Sequence, residues 1–154
     1  MSTATASASK KRHALVTGGG TGIGIAIAKA LVEQGMNVSV VGRRLDVLQN
    51  LANTNPEHIF VAQADVSNQT QVQQAFAKAK ARFGNVEILI NNAGQAISAA
   101  FLKTDMALWQ QMLNVNLTGS MLTMQAALPD MQQAGWGRII NIASTAGQVG
   151  YAYV

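Results

Sequence analysis

Thr17-Gly18-Gly19-Gly20-Thr21-Gly22-Ile23-Gly24 follows the apolar run Ala14-Leu15-Val16 and opens the amphipathic segment Ile25 to Gln34. A strand, a glycine-rich turn and a helix start, in that order, make the unit that holds a pyrophosphate in βαβ proteins. Gly18 and Gly22 let the backbone turn tightly and approach phosphate oxygens, and Gly24 lets the helix lie close to the strand, because a Cβ would obstruct either job. Thr21 and Ile23 complete the turn. The helix N-terminus beyond it presents free N–H groups and a partial positive charge to an anion. The spacing is G-x-x-x-G-x-G and not G-x-G-x-x-G, and Ile25 and Ala26 stand where a P-loop carries Lys and Ser/Thr. Phosphate binding is the expectation, and a plain structural turn is the alternative.

Outward from this turn, apolar runs alternate with helical patterns. Strands are expected over residues 13–17, 37–41, 59–62, 86–90 and 138–143. Between them, helices are expected over 22–34, ending at Gly35, over 45–51, and from a cap at Ser67 to a stop at Gly84. A long helical stretch from about Asp105 to Gln133 has Thr104 as its candidate cap, and Pro129 should bend or break it. Five strands buried on both faces and separated by helices imply an α/β fold, a doubly wound parallel Rossmann sheet in the order 3-2-1-4-5.

The composition narrows the function. One domain's worth of chain, 154 residues with 49% hydrophobic content, can bury a core. The absence of cysteine excludes disulfides and thiolate metal sites, and His13 and His58 read as strand-entry residues, so no metal is expected. The net charge of +4 resides largely in Lys10, Lys11 and Arg12; the rest sets eight basic residues against seven acidic ones, which leaves no nucleic-acid footprint. Residues 1–12 read as a disordered basic arm before a domain over 13–154. No apolar run approaches a membrane span, and a cytoplasmic protein is expected.

Ligands of such sheets bind beyond the carboxyl ends of the strands. Those ends carry the glycine turn, Gly42-Arg43-Arg44, Asp65-Val66, Asn91-Asn92-Ala93-Gly94 and Ser144-Thr145, a set of small and polar residues that packing does not explain. After the second strand, a carboxylate would accept the ribose hydroxyls of NAD(H). Gly42 stands there instead, and the guanidinium forks of Arg43 and Arg44 suit a 2′-phosphate, so NADP(H) is the expected cofactor and NAD(H) the alternative.

Together, the glycine turn, Asp65-Val66, Asn91-Asn92-Ala93-Gly94, Asn114-Val115-Asn116-Leu117 and Gly137-Arg138-Ile139-Ile140-Asn141-Ile142-Ala143-Ser144 resemble the short-chain dehydrogenase/reductase family, in its order and spacing. The resemblance implies hydride transfer between a nicotinamide and a carbonyl or hydroxyl of a small-molecule alcohol or ketone. It implies that Asp65 bonds the adenine amine and Val66 supplies its backbone, and that Asn92, Ala93 and Gly94 line the cofactor. Ser144 would polarise the substrate oxygen. Asn116 would hold a relay water where the long helix is distorted, while Asn114 matches no functional position. Thr21 departs from the Lys or Arg common in NADP-preferring members.

The larger departure is chemical. The family's Tyr-x-x-x-Lys falls, at its usual spacing from Ser144, beyond Val154; Tyr151 and Tyr153 are out of place by spacing. Serine and asparagine do not titrate near neutrality and cannot alone supply proton transfer. The chain therefore reads as the N-terminal portion of a longer enzyme, inactive as it stands. It should leave the fifth strand and much of the long helix uncovered. Gln95, Ala96, Ile97, Val149 and Tyr151 are candidates for what remains of a substrate pocket. The family implies a dimer or tetramer through the long helix. A non-catalytic dinucleotide-binding module is the alternative function, and a Rossmann methyltransferase, which would want an acid after the second strand, is a third.

Overall fold

The structure, a computed structural model, describes residues 11–150. Its elements run β1 (His13–Thr17), α1 (Gly22–Glu33), β2 (Asn37–Gly42), α2 (Leu45–Ala52), β3 (Ile59–Gln63), α3 (Gln69–Phe83), β4 (Ile88–Asn91), α4 (Met106–Leu113), α5 (Gly119–Ala134) and β5 (Arg138–Asn141). The five strands form one sheet in the order β3-β2-β1-β4-β5, every pairing parallel, as the alternation of strands and helices predicts. Residues 1–10 of the expected arm, together with Tyr151 and Tyr153, lie outside the described residues. Arg12 is described, with its guanidinium 3.5 Å from the centre of the Trp136 ring.

Alternation within each strand divides the core. Leu15, Val41 and Leu89 face α3 and α5, where Val72, Phe76, Leu122 and Met131 meet them. Ala14, Val16, Val40 and Ile90 face α1 and α2, against Ala28 and Leu48. All five residues of β1 are buried, which explains why it reads as an apolar run. Its one imidazole is satisfied: His13 Nδ1 donates to the Gly84 carbonyl at 2.8 Å, and Nε2 meets the buried hydroxyl of Ser39 at 2.8 Å. His58, just before β3, donates from Nδ1 to Asn37 Oδ1 at 2.9 Å.

Burial on both faces fails at β5. This edge strand pairs only with β4, and Ile140 is 49% exposed. Along the long helical stretch Trp109, Leu117, Met121 and Leu128 are also uncovered, all at least 40% exposed.

Two expected helix caps are corrected, and α5 runs past Pro129 without the break that was one of the two outcomes expected there. Asn68 caps α3, its Oδ1 accepting from Gln71 N at 3.0 Å, because the Ser67 hydroxyl is committed to Asp65. Asp105 caps α4 through Leu108 N at 2.8 Å, while the Thr104 hydroxyl turns back to the Ala100 carbonyl. Pro129 does not end α5, which runs on to Ala134 and stops at the left-handed Gly135. Its neighbours Leu122, Ala127 and Met131 anchor the inner face, and Gln125, the partner that the missing N–H would have bonded, is exposed to solvent. Strand limits also shift: β4 begins at Ile88 and ends at Asn91, and β5 ends at Asn141.

Candidate active site

At the carboxyl ends of β1–β4 the chain encloses a cleft of about 760 Å³. The β1–α1 turn forms its floor. Gly18 (φ 65°) and Gly22 (φ 52°) adopt the left-handed backbone, and Gly18 N–H bonds the Val41 carbonyl at 2.7 Å, tying the turn to β2. Gly24 lies beneath the turn, where a Cβ would collide with the Gly18 carbonyl oxygen and come within 2.8 Å of the Asn92 amide. The first turn of α1 is thereby brought hard against the end of β1, with Thr21, Gly22 and Ile23 exposed on the cleft.

Thr17, at the last position of β1, fastens this floor to β4. Its buried hydroxyl accepts the backbone N–H groups of Asn92 and Ala93, each at 3.0 Å. The Asn92 side chain returns the link, donating to the carbonyls of Thr17 and Gly18 at 3.1 and 3.3 Å. Asn92, Ala93 and Gly94 line the cleft where the sequence placed them. One residue earlier, Asn91 receives the Thr123 hydroxyl at 2.7 Å and donates to Asn141 at 2.9 Å, coupling the ends of β4, β5 and α5.

The far wall comes from β2 and β3. Arg43 and Arg44 are exposed and border the cleft beside Gly42, with Asp65 and Val66 across from them. Leu48 and Val47 of α2 supply apolar surface between. Asp65 Oδ1 accepts both the Ser67 hydroxyl at 2.6 Å and the Ser67 N–H at 2.9 Å. Burial pushes the Asp65 pKa up, but those two bonds and the nearby Arg43 charge outweigh it, so the carboxyl titrates below its ordinary value. Its main-chain N–H donates to Gln71 Oε1 at 2.8 Å. The result is an ionised carboxylate with one oxygen saturated and the other left to accept.

Between α4 and α5 the helix widens into a π-helical turn over Asn114–Thr118. Asn116 lies in it, exposed, and both amide atoms are engaged: Oδ1 accepts Gln95 N–H at 2.9 Å and Nδ2 donates to the Gln95 carbonyl at 2.8 Å. This reciprocal pair fastens the loop after β4 to the π turn, and Gln111 adds a bond to the Gln95 side chain at 3.1 Å. Asn114, half-buried, accepts from Gln110. Ser144 is exposed beyond β5, its hydroxyl accepting Ala146 N–H at 3.2 Å as the cap of a short 3-10 turn. Eleven of the expected residues thus border one cleft: Gly18, Thr21, Gly22, Ile23, Arg43, Arg44, Asp65, Val66, Asn92, Ala93 and Gly94. Gly24 supports it from below; Asn116 and Ser144 stand outside its lining.

Several residues that organise this site are not singled out for it by sequence patterning: Thr17, Gln63, Ser67, Gln71 and Thr123. Only Thr17 carries a local signal, a hydroxyl ending an otherwise apolar strand. Among the described residues no three His, Cys, Asp or Glu side chains cluster to hold a metal, and no helix is long and apolar enough to cross a membrane.

Comparison with known proteins agrees with this architecture. An uncharacterized oxidoreductase of Staphylococcus aureus is 42% identical over 135 residues, covering 87% of this chain and 58% of the relative. An NADP-dependent 3-hydroxy acid dehydrogenase of Shigella flexneri is 37% identical over 139 residues, covering 90% of this chain and 56% of that one. Among solved structures, a variant of actinorhodin polyketide ketoreductase with NADPH superposes with a TM-score of 0.89 at 32% identity, over 93% of this chain and 57% of that one. The chain therefore spans little more than half the length of these relatives. Residues 12–154 match the family model described as short chain dehydrogenase, and the chain belongs to that family.

Proposed function

We propose that the protein is an NADP(H)-preferring oxidoreductase that interconverts a carbonyl and a hydroxyl on a small-molecule alcohol or ketone. The observation that carries the cofactor reading is the end of β2: Gly42 followed by Arg43 and Arg44, opening on the same cleft as the glycine turn. Neither arginine forms an ion pair, since Lys80–Asp130 is the one such pair among the described residues. Two uncommitted guanidinium groups beside a carboxylate with a free oxygen suit an adenosine bearing a 2′-phosphate. The NADPH in the ketoreductase structure and the NADP dependence in the Shigella relative's name support the same cofactor.

When bound, the nicotinamide supplies or accepts the hydride. This chain's residues do the rest. The turn at Gly18, Thr21, Gly22 and Ile23, closed beneath by Gly24, receives the pyrophosphate at the α1 N-terminus. Asp65 accepts the adenine amine and Val66 backs it. Asn92, Ala93 and Gly94 border the cofactor. Ser144 orients the substrate oxygen and Asn116 fixes the adjoining loop. The group that moves the proton is not among these, so residues 13–154 form a cofactor-binding Rossmann domain without turnover of its own. Whole, the protein works in the cytoplasm as a homo-oligomer, for which the exposed Leu117, Met121 and Leu128 offer an apolar face.

A second reading, a dinucleotide-binding module without catalysis, draws on the engagement of Asn116 by Gln95 and the place of Ser144 outside the cleft lining. Calorimetric titration tests the cofactor reading. NADPH should bind at least about tenfold more tightly than NADH, the equivalent of one charge-assisted contact. Equal affinities would overturn it. NADPH-dependent reduction of a ketone panel by this chain would overturn the expectation that it lacks turnover.

A further inference from the structure

Resting on that reading of the cofactor site, we infer that Gln63 is a positioning residue for the 2′-phosphate. It holds the one peptide group that carries both arginines. β2 and β3 pair in parallel up to Gly42 opposite Gln63, and the ladder ends with Ala64 N–H on the Gly42 carbonyl at 3.0 Å. The next carbonyl along the chain belongs to Arg43, one residue past the end of β2 and two before the start of α2. Past the end of the ladder the Gln63 carboxamide reaches this peptide group: Nε2 donates to the Arg43 carbonyl at 2.8 Å.

The geometry gives this bond a reach beyond one atom. A peptide group is planar, so fixing its oxygen fixes ψ of Arg43 and φ of Arg44 together. With β2 in place, these torsions set where the Arg44 Cβ points, and the same bond holds the Arg43 main chain from which its side chain departs. Arg44, at the α2 cap position, makes no capping bond with its side chain, so nothing at the helix start dictates its direction. Arginine stems are long and lose considerable rotamer freedom on binding a phosphate, so a fixed base raises the share of conformers that reach it. Gln63 itself is exposed and adds nothing to the core.

The test uses 2′,5′-ADP and 5′-AMP, which occupy the adenosine half with and without the 2′-phosphate. Affinities are measured for the unaltered protein, Gln63→Met, Arg43→Ala with Arg44→Ala, and the triple variant. Methionine keeps length and removes the donor. Gln63→Met should weaken 2′,5′-ADP about three- to tenfold, the range of one net hydrogen bond, and leave 5′-AMP unchanged. On the double-alanine background it should change neither ligand. A purely structural glutamine would weaken both ligands equally, and an idle one neither; either result overturns the inference. If the double-alanine variant keeps the full preference for 2′,5′-ADP, the phosphate reading itself fails, whatever Gln63 does.

Discussion

The Thr17 hydroxyl accepts the backbone N–H of Asn92 at 3.0 Å, and the N–H of Ala93 at the same distance, so one buried oxygen joins the end of β1 to the end of β4. Thr17→Val keeps the shape and leaves both N–H groups without that acceptor. An unsatisfied buried donor costs about 1–3 kcal/mol, so a loss of about 2 kcal/mol in urea denaturation is expected, together with weaker cofactor binding. Thr17→Ser, which keeps the oxygen, should restore most of both. Equal stability of the Val and Ser variants would show that the hydroxyl is dispensable.

Gly24→Ala probes the close approach of α1 to the turn. The added methyl would overlap the Gly18 carbonyl oxygen and lie 2.8 Å from Asn92 Nδ2, so backbone must move. Overpacking of this kind costs about 1–3 kcal/mol, and here it displaces the glycine turn proposed to receive the pyrophosphate. NADPH affinity should fall further than stability accounts for. Gly147→Ala, where a Cβ meets nothing within 4 Å, is the control.

What was legible in the sequence follows from how far each signal reaches. β1, the glycine turn and α1 announce themselves locally, because burial on both faces makes a strand uniformly apolar and a tight turn demands glycine. Strand order followed from chain rules that hold for parallel sheets in general. The helix caps were misread because Ser67 and Thr104 each had a competing partner close by, Asp65 and the Ala100 carbonyl. At Pro129 no break occurs, because its exposed side of α5 tolerates a missing bond that an inner face would not. The links Gln63–Arg43 and Gln95–Asn116 join residues 20 and 21 positions apart through side-chain amides, which leave no period or composition to read. Ser144 and Asn116 were expected from motifs, yet their hydroxyl and amide contacts run to Ala146 and Gln95, which no motif states.

Ser67→Ala tests the Asp65 carboxylate, the group proposed to accept the adenine amine. Burial raises the Asp65 pKa, while the Ser67 hydroxyl, the Ser67 N–H and Arg43 lower it by more. Removing the hydroxyl should move the pKa upward, toward the ordinary aspartate value of about 3.9. A depressed folded-state pKa means that ionised Asp65 stabilises the fold above the unfolded value, and that this is lost as pH falls through the folded one. The stability gap between parent and variant should therefore be widest near neutrality and shrink in acid below pH 4 or so. Carbon NMR titration of the Asp65 carboxyl reads the shift directly. An unmoved or lowered pKa in the variant would mean that the hydroxyl does not set it.

Gly42→Asp asks whether the charge at the end of β2 selects the cofactor. The nearest atoms to a Cβ at Gly42 would be Leu48 side-chain carbons at 3.6 to 4.0 Å, which is ordinary contact, so the substitution should leave the thermal midpoint nearly unchanged. Its carboxylate would accept the ribose hydroxyls of NADH, repel a 2′-phosphate, and draw the neighbouring Arg43 guanidinium onto itself. All three effects act in the same direction. The affinity ratio of NADPH to NADH should fall at least about tenfold, because a single charge-assisted hydrogen bond is worth about 1.5–3 kcal/mol. Calorimetry with each cofactor measures the ratio. A variant that folds normally and keeps its preference for NADPH would place the 2′-phosphate away from Arg43 and Arg44.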